Sequence, residues 1–170
     1  MIEIYTDGAC KGNPGLGGYG VIIFKDNVLI NVIQQQFDYT TNNRMELSAI
    51  LHALAIINND YFLEKCIIYS DSSYCVNIAN DWIYTWAKNN WMNSKQQQIE
   101  NIDLVQNLYS YVNGFCKFTI QKIKGHSGLI GNELADAAAR NNLTDFTKIL
   151  KQNEVQYENL NFNEIFDIIK

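Results

Sequence analysis

Residues 65–81, KCIIYSDSSYCVNIAND, carry the pattern that decides the fold. The run CIIYS is short and nearly all apolar, which is typical of a strand buried on both faces of a sheet. Asp71 follows this run directly, and the residues after it return to the apolar spacing of a helix. A buried strand, an acid at its end and a following helix predict an α/β architecture.

The residues upstream predict a helix and, ahead of it, an antiparallel meander. Apolar residues recur with helical spacing from Asn43 over about four turns, and Thr41 or Asn42 is placed to cap the start of this helix. Three β-rich runs separated by turn residues precede the helix: IEIYT, YGVIIFK and VLINVIQQQF. Strands therefore dominate the first part of the chain, and helices alternate with strands in the second.

The residues downstream complete the sheet. Alternation in KFTIQKI predicts a fifth strand, and three further segments have helical character: DWIYTWAKNNW, IENIDLVQNLYSYV and the alanine-rich GNELADAAARNN. We therefore predict an α/β fold with a five-stranded mixed sheet and helices on both faces. The character changes after Asn142, so we expect one domain over residues 1–142 and a C-terminal helical appendage over residues 143–170.

The appendage ends in NFNEIFDIIK, which places four apolar residues on one stripe of a short helix: Phe162, Ile165, Phe166 and Ile169. Because a helix of this length is not stable alone, the apolar stripe must pack against a surface. We expect it to dock on this protein's own sheet or helices. Docking into a groove of a protein partner is the alternative.

Composition restricts the class of protein. The chain has 170 residues, of which 47% are hydrophobic and 18% charged, as in an ordinary folded domain. We find no apolar run of membrane-spanning length and no signal peptide, so we expect a cytoplasmic monomer with no membrane association. The four cysteines are scattered and show no CxxC spacing, which excludes a zinc site or a disulfide framework as the organising feature.

The formal net charge of −5 argues at first against a nucleic-acid partner, because phosphate contacts need positive charge. Carboxylates that hold divalent cations would invert the sign of the local charge. Net charge therefore does not exclude a nucleic-acid partner.

Four acids stand where a purely structural role explains them poorly as a group. Asp7 is predicted to end the first strand and Asp71 ends the central one, so both carboxylates are expected at one edge of the sheet. Glu46 lies early in the long helix and Asp136 one turn into the alanine-rich helix, where a solvated acid is the simpler interpretation of each alone. Several acids share an edge only if cations offset their repulsion, and carboxylate oxygens suit Mg²⁺ or Mn²⁺.

Four motifs occur in order over residues 1–142: YTDGACKGNPG, TTNNRMEL, IYSDSSY and KGHSGLIGNELAD. Together they resemble the ribonuclease H family, type 1. The resemblance implies a ribonuclease H-like fold, with residues 1–142 as the catalytic domain. It also implies endonucleolytic hydrolysis of the RNA strand of RNA/DNA hybrids by two Mg²⁺ ions, for which Mn²⁺ can substitute, leaving 5′-phosphate and 3′-hydroxyl ends.

The same resemblance assigns roles to the acids and to a histidine. Asp7, Glu46, Asp71 and Asp136 match the four metal-binding acids of the family. His126, in GHSG, matches a histidine expected to handle protons at the leaving oxygen or to assist product release.

The resemblance also implies how the hybrid is recognised. The turn from Cys10 to Asn13 and the pair Asn42-Asn43 match minor-groove contacts, where an amide suits a 2′-hydroxyl because both groups donate and accept. Tyr74 and Trp82 match aromatic positions that pack on deoxyriboses. Thr41 and Asn101 match a pocket for a phosphate of the DNA strand. The expected substrate-binding residues are Cys10, Gly12, Asn13, Thr41, Asn42, Asn43, Ser73, Tyr74, Trp82 and Asn101. Each of four of these residues also has a simpler structural interpretation. Asn13 would be a turn residue, Asn42 a helix cap, and Tyr74 and Trp82 aromatic residues of the core.

Three features depart from the family pattern. Tyr39 stands where some relatives contribute an arginine to the pocket for the DNA-strand phosphate. Ser73 stands where many bacterial relatives have glutamine, which leaves one contact to the RNA strand in question. Residues 82–101 match the family's protruding handle and keep its tryptophans, but Lys88 and Lys95 are the only cations in this segment. We therefore expect a weak nonspecific electrostatic contribution to binding.

Three other interpretations remain. Another nuclease of the same superfamily, such as an integrase or resolvase, shares the metal chemistry, although TNNRMEL and GHSG argue against it. A catalytically silent hybrid-binding module and a purely structural α/β domain are the others. The chain starts at its first strand, so we expect no N-terminal hybrid-binding domain of the kind some relatives carry.

Overall fold

A computed structural model describes residues 1–114 and 116–166. Five strands are present in these ranges: β1 (Ile2–Cys10), β2 (Gly15–Lys25), β3 (Val28–Thr40), β4 (Cys66–Ser70) and β5 (Phe118–Lys122). The α-helices there are α1 (Asn42–Asp60), α2 (Ser73–Asn77), α3 (Ile83–Lys88), α4 (Ile102–Val112), α5 (Ile130–Ala139), α6 (Leu143–Gln152) and α7 (Phe162–Ile165). A π-helical turn, Ile78–Trp82, joins α2 to α3.

The strands form one mixed sheet in the order β3-β2-β1-β4-β5. The first three strands pair antiparallel, whereas β4 pairs parallel with both β1 and β5. Apolar clusters lie on both faces of the sheet. The predicted α/β class, the five-stranded mixed sheet and the helices on both faces are therefore confirmed.

The two neighbours of β1 end their pairing at different points. Parallel pairing with β4 stops at Thr6 and Ser70, while antiparallel pairing with β2 continues to Cys10. The prediction that Asp7 ends the first strand is therefore wrong, because β2 extends the strand beyond the point where β4 leaves it. Asp7 still lies one residue past the last β1–β4 pair, as Asp71 does on β4.

The first apolar cluster packs α1, α2 and α4 against one face of the sheet. Thr41 caps α1, because its Oγ1 accepts a hydrogen bond of 3.3 Å from the backbone N–H of Arg44. One of the two predicted caps is thus confirmed. The cap and the buried face of α1 together fix the start of this helix beside β1.

The second cluster lies on the opposite face, where α5, α6 and the following residues pack. The fully buried Phe146 ring lies 5.4 Å from the ring of Phe162 and 5.0 Å from that of Phe166. The backbone N–H of Leu29 on β3 donates to Gln156 O, and Glu158 N–H donates to Leu29 O. The described part of the tail stripe thus docks on this protein, as expected. Ile169 lies outside the described residues, and the domain boundary at residue 142 stays a prediction.

Two predicted helices have different bounds in the structure. The helix expected over residues 81–91 ends at Lys88, because Asn90 and Trp91 take positive φ angles of 51° and 61°. The next helix begins at Ile102 rather than at residue 99, after Asn101 in the left-handed region. Apolar spacing continued through both segments, so periodicity alone could not locate these ends. Within residues 1–114 and 116–166, none of the helices combines the length and the apolar character that a bilayer span requires.

Replacing Phe166 with alanine should lower the free energy of unfolding by about 3 to 5 kcal/mol, because its buried ring fills the second cluster. Urea unfolding measures this change. Leu63→Ala is the matched control, because Leu63 is 91% exposed and its loss should change stability by less than about 0.5 kcal/mol. Equal small effects for both variants would show that the tail does not contribute to the folded core.

Candidate active site

Three predicted acids meet at the edge of the sheet. Asp7 comes from β1, Glu46 from α1 and Asp71 from the residue after β4, and one carboxylate oxygen of each lies within 4.8 Å of the others. Asp7 and Glu46 are buried, whereas Asp71 is partly exposed. The group therefore opens towards solvent on the side of Asp71.

A glycine allows β1 and α1 to approach closely enough to form this group. A Cβ added at Gly8 would lie 2.5 Å from the backbone nitrogen of Glu46 and 2.7 Å from the carbonyl carbon of Met45. Any side chain at this position would push the helix away from the strand. The Gly8 N–H also donates to Asp7 Oδ1 at 2.9 Å, which orients that carboxylate.

A second glycine brings the GHSG turn onto Asp71. A Cβ at Gly125 would lie 2.6 Å from Asp71 Oδ2, so the turn backbone contacts the carboxylate. His126 follows in the left-handed region with a φ of 52°, and its side chain is exposed. The exposed His126 is therefore the next residue along the chain after the glycine that lies against Asp71.

The fourth predicted acid, Asp136, lies on α5 and is not part of the close group of three. Its Oδ2 lies 2.8 Å from Nη2 of Arg140 in an ion pair and accepts a hydrogen bond of 3.0 Å from Nε of the same arginine, one helical turn later. Its negative charge nevertheless contributes to raising the pKa of Asp7. Asp136 is thus near enough to act on the group electrostatically while paired to an arginine.

Burial and mutual repulsion control the protonation of the group. Burial, followed by the charges of Asp71 and Asp136, raises the pKa of Asp7 to about 7. Burial and the neighbouring Asp7 and Asp71 raise the pKa of Glu46 well above its usual value. Without a cation, the buried pair therefore takes up protons that ordinary carboxyls would have lost.

The donor set fits a divalent metal ion. Glu46 Oε2 is buried without a hydrogen-bond partner, so one oxygen of the group is available for a ligand. Carboxylate oxygens are the ligands that Mg²⁺ and Mn²⁺ prefer, and a cation would offset the repulsion that raises the two pKa values. The residues present therefore match the predicted metal.

Four predicted substrate-binding residues lie together in a cleft of about 440 Å³, which is lined by Asn13, Thr41, Asn43, Glu100 and Asn101. The Asn42 backbone N–H donates to Asn13 Oδ1 at 2.9 Å, so the glycine-rich turn is tied to the start of α1. The predicted contacts from the turn and from α1 are thus brought to one surface.

A hydrogen-bond network that sequence reasoning missed supports this cleft. Arg44 donates to Asn101 Oδ1 at 3.3 Å and to both carboxylate oxygens of Asp103 at 3.0 and 2.8 Å. The Asn101 side-chain amide in turn donates to the hydroxyl of Tyr74 at 3.0 Å. The one available signal was the position of Arg44 within TTNNRMEL, next to residues already assigned.

The remaining predicted residues have structural contacts of their own. The Cys10 thiol donates to Thr40 O at 3.3 Å, and Gly12 occupies the left-handed region with a φ of 79°. Ser73 is exposed at the start of α2, and Trp82 packs against Trp86 with ring centroids 5.8 Å apart. Ser73 and Trp82 neither line the cleft nor belong to the carboxylate group.

Comparison with known proteins identifies the family. The family model described as RNase H matches residues 1–144. The chain belongs to the RNase H family. The protein "Ribonuclease H" of Orientia tsutsugamushi (strain Boryong) is 42% identical over 153 residues, which cover 90% of this chain and 88% of that protein. The chain is therefore an enzyme, a hydrolase of the endoribonuclease class.

Solved structures agree on the fold. LC9-RNase H1, described as a type 1 RNase H with the type 2 active-site motif, is 24% identical with a TM-score of 0.69 and covers 92% of this chain and 86% of its own. LC11-RNase H1, solved in complex with RNA/DNA hybrid, is 20% identical with a TM-score of 0.60 and covers 82% and 94%. The ribonuclease H-like fold expected from the motifs is thus confirmed.

Replacing Gly125 with alanine should weaken Mn²⁺ binding by about tenfold or more, because the new methyl group would displace the Asp71 carboxylate. Isothermal titration calorimetry on the substrate-free protein measures the affinity. Gly128→Ala is the control: it strains a φ of 84° in the same turn, but its Cβ meets no atom within 4 Å. If both variants bind Mn²⁺ equally well, Gly125 does not position the carboxylate.

The metal-free protein should lose stability as pH rises from about 4 to about 7. The raised pKa of Asp7 means that the folded state holds a proton there that the unfolded chain has released, so the free energy of unfolding falls over this interval. Urea unfolding in EDTA at several pH values measures the slope. Asp7→Asn should flatten it, and Mg²⁺ should stabilise the wild type more at pH 8 than at pH 5. A wild-type slope unchanged by Asp7→Asn would contradict the raised pKa.

Proposed function

We propose that the protein hydrolyses the RNA strand of RNA/DNA hybrids as an endonuclease, leaving 5′-phosphate and 3′-hydroxyl ends. The observation that carries this proposal is the group of Asp7, Glu46 and Asp71, within 4.8 Å of one another at the sheet edge of an RNase H family member. Relatives named Ribonuclease H and an RNase H1 solved with RNA/DNA hybrid support the substrate class.

Asp7, Glu46 and Asp71 would hold Mg²⁺, or Mn²⁺ in its place, and Asp136 would complete the set for a second ion. Two such ions supply positive charge to the attacking and leaving oxygens of an in-line phosphoryl displacement. The chain's own contribution is to orient the carboxylates: the Gly8 N–H donates to Asp7 Oδ1, and the backbone at Gly125 lies close against the Asp71 carboxylate.

His126 would handle the proton at the leaving oxygen or assist release of the product. Its side chain is exposed, and it follows Gly125, whose backbone lies against Asp71. Because His126 lies exposed on a turn, its side chain can reach the leaving oxygen of the RNA strand as the phosphodiester bond breaks.

The cleft and its neighbours would recognise the hybrid. Asn13, Asn42 and Asn43 offer amide and backbone groups suited to the 2′-hydroxyls and base edges of a minor groove. Thr41 and Asn101 would receive a phosphate of the DNA strand. The turn from Cys10 through Gly12 would add backbone contacts.

The remaining substrate contacts would lie on α2 and the π-helical turn. Tyr74 and Trp82 would pack on deoxyriboses, and Ser73 would face the RNA strand. Tyr74 is oriented for this by its hydrogen bond from Asn101.

Local charge makes this surface a weak electrostatic partner for nucleic acid. Glu100 lines the cleft, and Asp103 neutralises the guanidinium of Arg44. Affinity would therefore depend on shape and hydrogen bonding more than on phosphate neutralisation. We further propose that the protein is a cytoplasmic monomer. Binding of a protein partner through the C-terminal tail stays a prediction.

Cleavage of an end-labelled RNA/DNA hybrid tests the proposal. Gel analysis should show RNA-strand products with Mg²⁺ and none with EDTA, whereas duplex RNA and duplex DNA stay intact. Cleavage of duplex DNA instead would favour an integrase- or resolvase-like activity. Binding of the hybrid without cleavage would favour a silent module.

Asp7→Asn should lower the rate of hybrid cleavage by at least about a hundredfold, because losing one ligand removes several kcal/mol of charge stabilisation in the transition state. Single-turnover rates at saturating Mg²⁺ measure the loss. Asp26→Asn is the control, because Asp26 is an exposed acid paired with the N-terminal amine and should leave the rate unchanged. Near-normal cleavage by Asp7→Asn would refute the site assignment.

A further inference from the structure

Arg140 lies between two carboxylates that belong to different helices. Its Nη2 is 2.8 Å from Asp136 Oδ2 on α5 and 2.8 Å from Asp145 Oδ2 on α6, and its Nε also donates to Asp136 at 3.0 Å. The three side chains are between 26% and 38% exposed. One guanidinium is thus shared between an acid of the candidate site and an acid from the next helix.

The position of Asp145 is fixed by the packing of α6. Its backbone N–H donates to the cap residue Asn142 at 2.9 Å, and the neighbouring Phe146 is fully buried in the second cluster. Asp145 therefore stays beside Arg140 as long as α6 is docked. Arg140 can release Asp136 without losing its ion-pair partner.

Asp136 acts on the acidic group even while it is paired. Its charge contributes to raising the pKa of Asp7. Both contacts from Arg140 are to Oδ2 of Asp136, so a cation that binds this carboxylate competes with Arg140 for Oδ2 or, at Oδ1, for the charge that the two oxygens share.

We propose that Arg140 is a positioning residue that controls how readily Asp136 accepts a divalent cation, with Asp145 as its alternative partner. In the cation-free protein Arg140 is shared between the two acids. When a cation binds Asp136, the bonds from Arg140 to Asp136 are given up and its pair with Asp145 remains. The proposal rests on the metal-binding role proposed above for Asp136.

A purely structural pair between α5 and α6 makes a different prediction. In that case, removing Arg140 or Asp145 changes the free energy of unfolding and leaves cation affinity unaltered. In the proposed case, the two removals move cation affinity in opposite directions. Arg140→Gln removes the competitor, whereas Asp145→Asn leaves Asp136 as the sole partner of Arg140.

The test is a double-mutant cycle read out as Mn²⁺ affinity. Calorimetry on the full-length, substrate-free protein at low ionic strength should show about two- to fivefold tighter binding for Arg140→Gln and about two- to fivefold weaker binding for Asp145→Asn, the range that partly exposed ion pairs support. In the Arg140→Gln background, Asp145→Asn should have almost no effect. Urea unfolding confirms that each variant is folded.

Two outcomes would overturn the proposal. Unchanged affinity in both single variants would reduce the pair to a structural contact. An equal loss from Asp145→Asn in both backgrounds would show that Asp145 acts through its own charge rather than through Arg140.

Asp136→Asn separates this inference from the proposed function. Unaltered Mn²⁺ affinity in that variant would remove the metal-binding role of Asp136, and the Arg140 proposal with it. Weakened affinity in Asp136→Asn, combined with no coupling between Arg140 and Asp145, would overturn the Arg140 proposal alone.

Discussion

β1 and β4 run side by side until the pair Thr6 and Ser70, and the next residue of each strand is an aspartate. The end of this parallel pairing is the constraint on which the site depends. It directs Asp7 and Asp71 to one edge, where the close approach of α1 at Gly8 adds Glu46. Two apolar clusters, one on each face, hold the sheet between its helices and keep these elements in place.

The central part of this arrangement could be predicted from the sequence. Two strands that end next to acids place both acids at one edge of the sheet, whatever the details of the loops. That inference survived an error in the bounds of β1, because it depends on where β4 leaves β1 and not on where β1 ends. Glu46 needed the motif TTNNRMEL, because helical spacing alone does not show which face an acid occupies.

Other parts of the site depend on tertiary contacts that no local pattern encodes. Asn101 takes a left-handed backbone conformation just before α4, and its side chain bonds Tyr74 and Arg44. The apolar spacing in this segment predicted a continuous helix instead. The pairing of Arg140 with Asp145 depends on how α6 docks on α5. Asp136 could therefore be named from the sequence, but the sharing of Arg140 between Asp136 and Asp145 could not.

The pairing of Leu29 with residues 156–158 has a consequence for synthesis of the chain. β3 lies at the outer position of the sheet, where unpaired backbone groups invite association with other chains. The Leu29 N–H and C=O bond residues that are translated well after β5, and the rings that pack on Phe146, those of Phe162 and Phe166, are translated after it as well. While a ribosome is still producing residues 156–166, part of β3 and the part of the second apolar cluster that Phe162 and Phe166 cover stay exposed. The edge of β3 at Leu29 is therefore open to pairing with other chains until residues 156–158 emerge and cover it.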